Sequence, residues 1–264
     1  MAAAGTVTAA EAAELVIPPA GLDTLIGLLR TRGYQVVGPT VRDGAIVYDE
    51  ISDAGQLPAG WTDSQDGGAY RLERRGDAAR FGYAVGPHSW KQYLLPPRLR
   101  LLKIHRDGAG TGGAAGGEGP AAGGDGGGGD RDADRADSAD RADGADGAGR
   151  ADGEADGGFE VAEEPLPRTP LAFLGVRSCE LHAIAVQDRV LIGGRHTDRD
   201  NAARRAELFI VAVNCHEPGG TCFCVSMGTG PAVREGYDLV LSEILDGDHR
   251  LLVQAGTPRG ADVL

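Results

Sequence analysis

The low-complexity segment from residue 108 to residue 158 sets the strongest limit on how this chain folds. It contains no Leu, Ile, Val or aromatic side chain, and it holds twelve acidic residues against four arginines. Such a segment cannot bury enough apolar surface to offset its loss of chain entropy. We therefore predict that residues 108–158 are a long disordered Gly/Ala/Asp insertion. Residues 15–107 and 159–264 are then two halves of one domain, behind a disordered N-terminus at 1–14.

The charge of the chain argues against two classes of partner. The 39 acidic and 26 basic residues give a net charge of −13, which repels nucleic acid and anionic lipid. No apolar run approaches the roughly 20 residues that a membrane span requires, and residues 1–13 lack the basic and apolar regions of a signal peptide. We expect a cytoplasmic protein that binds neither nucleic acid nor membrane.

The N-terminal half has the pattern of a helix and a small sheet. Apolar residues recur at helical spacing between positions 22 and 29, and Gly33 stands where a helix often ends. Two apolar stretches then flank Asp43-Gly44, a pair typical of a tight turn between antiparallel strands. Residues 80–85 are predicted to form a further strand.

The C-terminal half has a βαβ pattern. An apolar run at 171–176 predicts a buried strand, Ser178 is the expected N-cap of a helix from Cys179 to Leu191, and a second strand is expected at 208–213. A crossover of this kind places its two strands parallel and close together. The predicted fold class is α+β, with a small N-terminal antiparallel sheet and helix followed by a βαβ-containing half.

The chain has four cysteines, and the predicted topology brings them to one place. Cys179 follows the first strand of the βαβ unit, Cys215 follows the second, and Cys222 and Cys224 lie on the glycine-rich segment after it. The carboxyl ends of parallel strands meet at one edge of a sheet, where α/β proteins commonly build sites. We expect the four cysteines to converge there.

Four reduced thiols match the ligand set of one [4Fe–4S] cluster or one tetrahedral zinc ion. Cys179 near a helix N-terminus is expected to favour the thiolate, and Phe223 between two cysteines is expected to shield the site from water. Neither the ferredoxin cysteine spacing nor a C-x₂-C zinc knuckle is present. An iron–sulfur cluster, structural zinc, a catalytic cysteine and unligated cysteines therefore all stay open.

A catalytic cysteine requires a nearby base. The histidines nearest the cysteines are His182 and His216, and neither has an evident carboxylate to orient it. We interpret both, together with His88, as ordinary surface or packing residues.

Several segments together resemble a known family. The most specific is Thr221–Pro231, which reads Thr-Cys-Phe-Cys-Val-Ser-Met-Gly-Thr-Gly-Pro. The others are Gly33–Tyr34, Val37–Pro39, Gly68–Leu72, Gly86–Pro87, Ser89–Lys91, Pro96–Pro97, Gly175–Leu181 and Val213–Cys215. They resemble the beta subunit of cytoplasmic sulfhydrogenases and the similar A subunit of anaerobic sulfite reductase.

The resemblance implies an iron–sulfur electron-transfer subunit of an oxidoreductase complex, either a nickel–iron hydrogenase or a sulfite reductase. Its partners would be the other subunits, including a flavin subunit that handles a nicotinamide cofactor. This chain has Ser178 and Glu180 where the family usually has Pro and Asp, and it ends before the family's ferredoxin-like dicluster domain. We therefore expect a one-cluster or accessory electron-transfer subunit rather than a stand-alone enzyme. A truncated copy, one half of a split gene and a fragment all stay open as explanations of where the chain ends. The alternatives are a zinc-stabilised or metal-free assembly module that docks partner subunits, and a cysteine-dependent enzyme.

Overall fold

The computed structural model describes residues 13–86, 88–100, 102–106, 159–163 and 169–264. The described residues divide into two units, one formed by residues up to 99 together with those from 169 on, the other by residues between 100 and 166. The predicted insertion at 108–158 lies outside the described residues. So does the predicted disordered N-terminus, apart from its last two residues, and the first strand already begins at Glu14.

A seven-stranded mixed sheet organises the first unit, in the order β1-β11-β10-β9-β8-β2-β3. The four central strands are parallel, and the outer pairs are antiparallel. The strands are β1 (Glu14–Ile17), β2 (Gln35–Arg42), β3 (Ala45–Glu50), β8 (Leu171–Val176), β9 (Phe209–Val213), β10 (Leu239–Ile244) and β11 (Arg250–Ala255).

Two smaller hairpins and five helices complete the described structure. β4 (Trp61–Asp66) pairs with β5 (Ala69–Arg74), and in the second unit β6 (Leu102–Arg106) pairs with β7 (Phe159–Glu163). The helices are α1 (Gly21–Thr31), α2 (Lys91–Leu94), α3 (Ser178–Leu191), α4 (Arg199–Glu207) and α5 (Pro258–Ala261), with a short 3₁₀ turn at Ala54–Gln56. No helix among the described residues is long and apolar enough to cross a membrane.

The predicted N-terminal helix and hairpin are confirmed. The apolar face of α1 is buried, and Gly33 ends the helix with a φ of +88°. Asp43 and Gly44 both have positive φ, as a two-residue hairpin turn requires. Because β2 also pairs in parallel with β8, these strands extend the sheet of the C-terminal half.

The predicted βαβ unit is also confirmed, because β8 and β9 are parallel neighbours. The helix begins at Ser178, and Arg177 rather than Ser178 occupies the N-cap position. The Glu180 carboxylate accepts a 2.9 Å hydrogen bond from the Arg177 backbone N–H, which closes the first turn of α3.

Alternating residues of the central strands face two separate cores. Leu174 and Val211 pack with the buried face of α1, whereas Phe173 and Ile210 pack with the buried residues of α3. The two helices therefore cover opposite faces of the sheet, which leaves its carboxyl edge free for a site.

The predicted strand at residues 80–85 is wrong. The N–H groups of Arg80 and Phe81 donate to the buried Glu243 carboxylate at 2.7 and 2.9 Å. The Ala84 N–H donates to the Asp63 carboxylate at 2.7 Å. Side chains thus satisfy backbone groups that a strand would pair with a neighbouring strand, and the segment runs as an irregular connection beside the site.

Candidate functional site

All four predicted site cysteines line one cavity of about 730 Å³ at the carboxyl ends of β8 and β9. Cys179 comes from the first turn of α3, Cys215 from the end of β9, and Cys222 and Cys224 from the following loop. All four are free thiols. Across the described chain, however, no group of three or more His, Cys, Asp and Glu side chains is arranged to hold a metal ion.

The loop from Cys215 to Pro231 is closed at its two ends. The Cys215 N–H donates to the Pro231 carbonyl at 3.2 Å. Just before it, Asn214 donates through Nδ2 to Ser242 at 2.7 Å and accepts from the Val233 N–H at 2.8 Å. One asparagine therefore fixes both ends of the loop to β10 and to each other.

Two glycines let this loop pack against the β4–β5 hairpin. A Cβ atom at Gly220 would lie 2.6 Å from the Gln65 carbonyl oxygen, and one at Gly219 would lie 3.0 Å from the Ala84 Cβ. The contact at Gly220 excludes a side chain, and a side chain at Gly219 would require Ala84 to shift by a few tenths of an ångström. The Gly219 N–H also donates to the Cys222 sulfur at 3.2 Å, so this turn helps to orient one of the thiols.

The second half of the loop carries Cys224 to the start of α3. A Cβ at Gly230 would lie 3.4 Å from the Cys224 sulfur and 3.5 Å from the Ser178 Cβ. The Thr229 N–H donates to the Cys224 carbonyl at 2.8 Å and holds this turn. Gly230 therefore lies between Cys224 and the first turn of α3, within van der Waals range of both.

Arg177 forms the floor of the cavity and is not among the site residues predicted from the sequence. Its side chain is 1% exposed. Nη2 donates to the carbonyls of Phe81, at 3.3 Å, and Tyr83, and the guanidinium lies 4.2 Å from the centre of the Tyr83 ring. A signal was present in the sequence, because an arginine between a buried strand and a helix start occupies the carboxyl edge where sites form.

Glu180 is a second buried charged group beside the cavity. It accepts hydrogen bonds from the Tyr48 hydroxyl and the Arg177 N–H. Burial raises the pKa of Glu180, although Arg177 and the Tyr48 hydrogen bond act in the opposite direction. Burial, followed by Glu180, raises the pKa of Tyr48 well above its ordinary value, so this tyrosine stays a hydrogen-bond donor.

The expectation that Cys179 favours the thiolate is wrong for the unligated chain. Burial, and then the adjacent Glu180, raise the pKa of the Cys179 thiol to about 11, although Arg177 lowers it. Desolvation and a neighbouring carboxylate thus outweigh the helix N-terminus. A ligand that binds Cys179 as a thiolate must displace its proton.

The histidines differ in their relation to the cavity. His182 and His216 both line it, whereas His88 does not. His216 Nε2 lies 3.9 Å from the Glu243 carboxylate, which is more tightly engaged by His249 at 2.7 Å. The prediction that no carboxylate stands near these histidines is therefore wrong for His216.

The rim of the cavity is apolar and open. Phe223 lines it but is 70% exposed, so this side chain does not provide the predicted shield from water. Val186, Val225 and Met227 also line the cavity, and each is more than half exposed. The floor of the site is thus buried and charged, while its rim is exposed and apolar.

Comparison with known proteins gives one informative match. Over 86 residues, a third of this chain, the sequence is 38% identical to the sulfhydrogenase 2 subunit beta of Pyrococcus furiosus. The match spans about a quarter (24%) of that relative's length. No family model and no solved structure matches the chain. The resemblance to sulfhydrogenase beta subunits is therefore confirmed over a third of the chain.

Proposed function

We propose that the chain is an iron–sulfur electron-transfer subunit of a cytoplasmic hydrogenase or sulfite-reductase-like complex. The observation that carries the proposal is that cysteines from three separate parts of the chain line one cavity. The similarity to a sulfhydrogenase beta subunit supports the same class of function.

The donor chemistry of the cavity fits an iron–sulfur cluster. Thiolates are the ligands that iron–sulfur clusters use, and this cavity offers four free cysteines. Among the described residues that line the cavity, Arg177 is the one buried side chain that carries a permanent charge, and this cation suits an anionic group. Cys179, Cys215, Cys222 and Cys224 would hold the cluster.

When bound, such a cluster would accept and donate single electrons. The chain itself supplies the positions of the thiols: α3 holds Cys179, the end of β9 holds Cys215, and the closed loop holds Cys222 and Cys224. The exposed rim around Phe223 leaves the cavity accessible to the surface. In the complex we expect hydrogenase or sulfite reductase subunits, including one that binds flavin and a nicotinamide cofactor, to exchange these electrons.

Metal analysis of the full chain after anaerobic purification tests the proposal. We expect about four irons and four acid-labile sulfides per chain. One zinc with no iron would instead identify a zinc-stabilised assembly module. A metal-free chain with one fast-alkylating thiol and three inert ones would identify a cysteine-dependent enzyme.

Cysteine variants distinguish ligands from incidental thiols. Replacing Cys179, Cys215, Cys222 or Cys224 singly by serine is expected to lower the iron content, because each removes one thiolate ligand. Ser226→Ala is a matched control on the same loop that leaves all four thiols in place, and it should retain the wild-type iron content.

A further inference from the structure

The guanidinium of Arg177 has unused hydrogen-bonding capacity at the cavity floor. Two of its nitrogens, Nε and Nη1, are buried and have no hydrogen-bond partner in the part of the chain that the structure describes. The third, Nη2, binds only the carbonyls of Phe81 and Tyr83. An arginine presents five N–H donors, so most of them are free to bind a further acceptor.

The charge of Arg177 is compensated only at a distance, by the buried Glu180 carboxyl. A guanidinium stays charged in proteins, and a buried charge is normally paired because desolvation is unfavourable. Here its contacts are two neutral carbonyls and the face of the Tyr83 ring, with no carboxylate bound to the guanidinium in the described chain. The charge is near enough to Cys179 and Cys215 to interact electrostatically with both. In the described part of the chain, therefore, no anion binds the guanidinium directly, and an anion in the cavity would add to the compensation that Glu180 provides.

We propose that Arg177 is the residue that tunes the iron–sulfur site, by balancing its negative charge and donating hydrogen bonds to its sulfur atoms. This inference rests on the proposed function. Cluster potentials depend on net charge and on hydrogen bonds to sulfur. One electron from an external reductant makes the cluster and its thiolates more negative by one charge, with no covalent bond formed or broken. A fixed cation beside them favours that reduced state and raises the reduction potential.

A redox titration of the full chain, followed by electron paramagnetic resonance, tests this with Arg177→Met. We expect reduction to become at least tenfold less favourable, a shift of about 59 mV to more negative potential for a one-electron couple. Arg177→Lys keeps the positive charge but loses the planar guanidinium and its several N–H donors. The reduction potential of the cluster in this variant should therefore fall between those of wild type and Arg177→Met.

Arg80→Met is a matched control for loss of an arginine from the same neighbourhood. Arg80 adjoins Phe81, binds the Ala54 carbonyl at 2.6 Å through Nη1 and has an unpartnered buried Nε, but it does not line the cavity. Its replacement should leave the potential close to wild type. Equal potentials for Arg177→Met, Arg80→Met and wild type would show that Arg177 is structural only, and would overturn the inference.

A measurement on the wild-type chain does not depend on the folding of any variant. In protein labelled with ¹⁵N-arginine, pulsed electron paramagnetic resonance of the reduced cluster should show a ¹⁵N coupling that is absent from Arg177→Lys. A loaded cluster without such a coupling would overturn the role of Arg177 while leaving the proposed function intact. A wild-type chain that takes up no iron–sulfur cluster would overturn both.

Discussion

The two walls of the cavity are built in contrasting ways. The inner wall, residues 175–180, joins β8 to α3, and its Arg177 and Glu180 are buried and hydrogen-bonded. The outer wall, residues 218–229, is a loop whose apolar side chains Phe223 and Val225 are at least 70% exposed. The inner wall is fixed by the sheet and its core, whereas the outer wall is held at its ends and by the packing of Gly219 and Gly220 against Gln65. Damage to the first should unfold the domain, and damage to the second should change only the site.

The largest contrast is expected between two phenylalanines. Phe173 lies on β8, the strand that leads into the inner wall, is fully buried and stacks on Trp90, with ring centres 4.6 Å apart. Phe173→Ala should lower the free energy of unfolding by about 3–5 kcal/mol, because it leaves a cavity in the core. Phe223→Ala on the outer wall should change it by less than about 0.5 kcal/mol. Urea unfolding followed by circular dichroism measures both, and similar losses would contradict the contrast.

A pair of glycines sharpens the same comparison. Gly175 has a φ of +93°, and an added Cβ would lie 3.2 Å from the Phe81 ring. Gly175→Ala should therefore lower stability by about 2–3 kcal/mol through backbone strain and crowding. Gly228 has a φ of +64° and nothing within 4 Å of an added Cβ, so Gly228→Ala should lower it by only about 1 kcal/mol. Thermal unfolding that ranks the two variants in the opposite order would refute the crowding argument.

Removal of the loop anchor should have a smaller and more local effect. Asn214→Ala loses the hydrogen bonds to Ser242 and Val233, which should lower the free energy of unfolding by about 1–2 kcal/mol. The more specific expectation is faster hydrogen exchange and proteolysis within residues 215–231. Ser242→Ala removes only one of these bonds and is the milder control. Unchanged exchange in the loop of Asn214→Ala would show that other contacts hold it.

The mildest test leaves the fold unchanged and compares thiols in the metal-free chain. With a pKa of about 11, only roughly one Cys179 side chain in a thousand is a thiolate at pH 8. Because the thiolate is the reactive form, alkylation of Cys179 should be slow and should rise about tenfold per pH unit until the pH nears 11. Cys222 is exposed and should be more accessible to the reagent. Peptide mapping by mass spectrometry resolves the two, and a Cys179 rate that levels off below pH 9 would contradict the burial argument.

Local patterns predicted much of the fold around the site. The helix ending at Gly33, the Asp43-Gly44 turn and the βαβ crossover depend on residues close together in sequence, and all three are confirmed. The strand predicted at 80–85 does not form, because the Glu243 and Asp63 carboxylates, which are distant in sequence, accept hydrogen bonds from its backbone N–H groups. The hydrophobic pattern of a segment carries no information about hydrogen-bond acceptors that come from elsewhere in the chain.

The location of the four cysteines could be predicted from the sequence, their role as ligands stays a prediction, and the electrostatics of the site could not be predicted. The topology correctly brought the cysteines to one edge of the sheet and one cavity. The raised pKa of Cys179 could not be inferred, because it depends on burial and on Glu180, which tertiary packing desolvates. Arg177 was missed for a related reason: its position after a buried strand can be inferred from the sequence, but its burial to 1% exposure cannot.

Anomalous diffraction at the iron edge, on crystals of the full chain grown without oxygen, tests the central claim most directly. We expect iron in the cavity at the carboxyl ends of β8 and β9, with the sulfurs of Cys179, Cys215, Cys222 and Cys224 roughly 6–7 Å apart, as ligands of one [4Fe–4S] cluster. Iron elsewhere, or a Cys179 sulfur more than about 12 Å from the other three, would contradict it, because side-chain rotation cannot close such a gap.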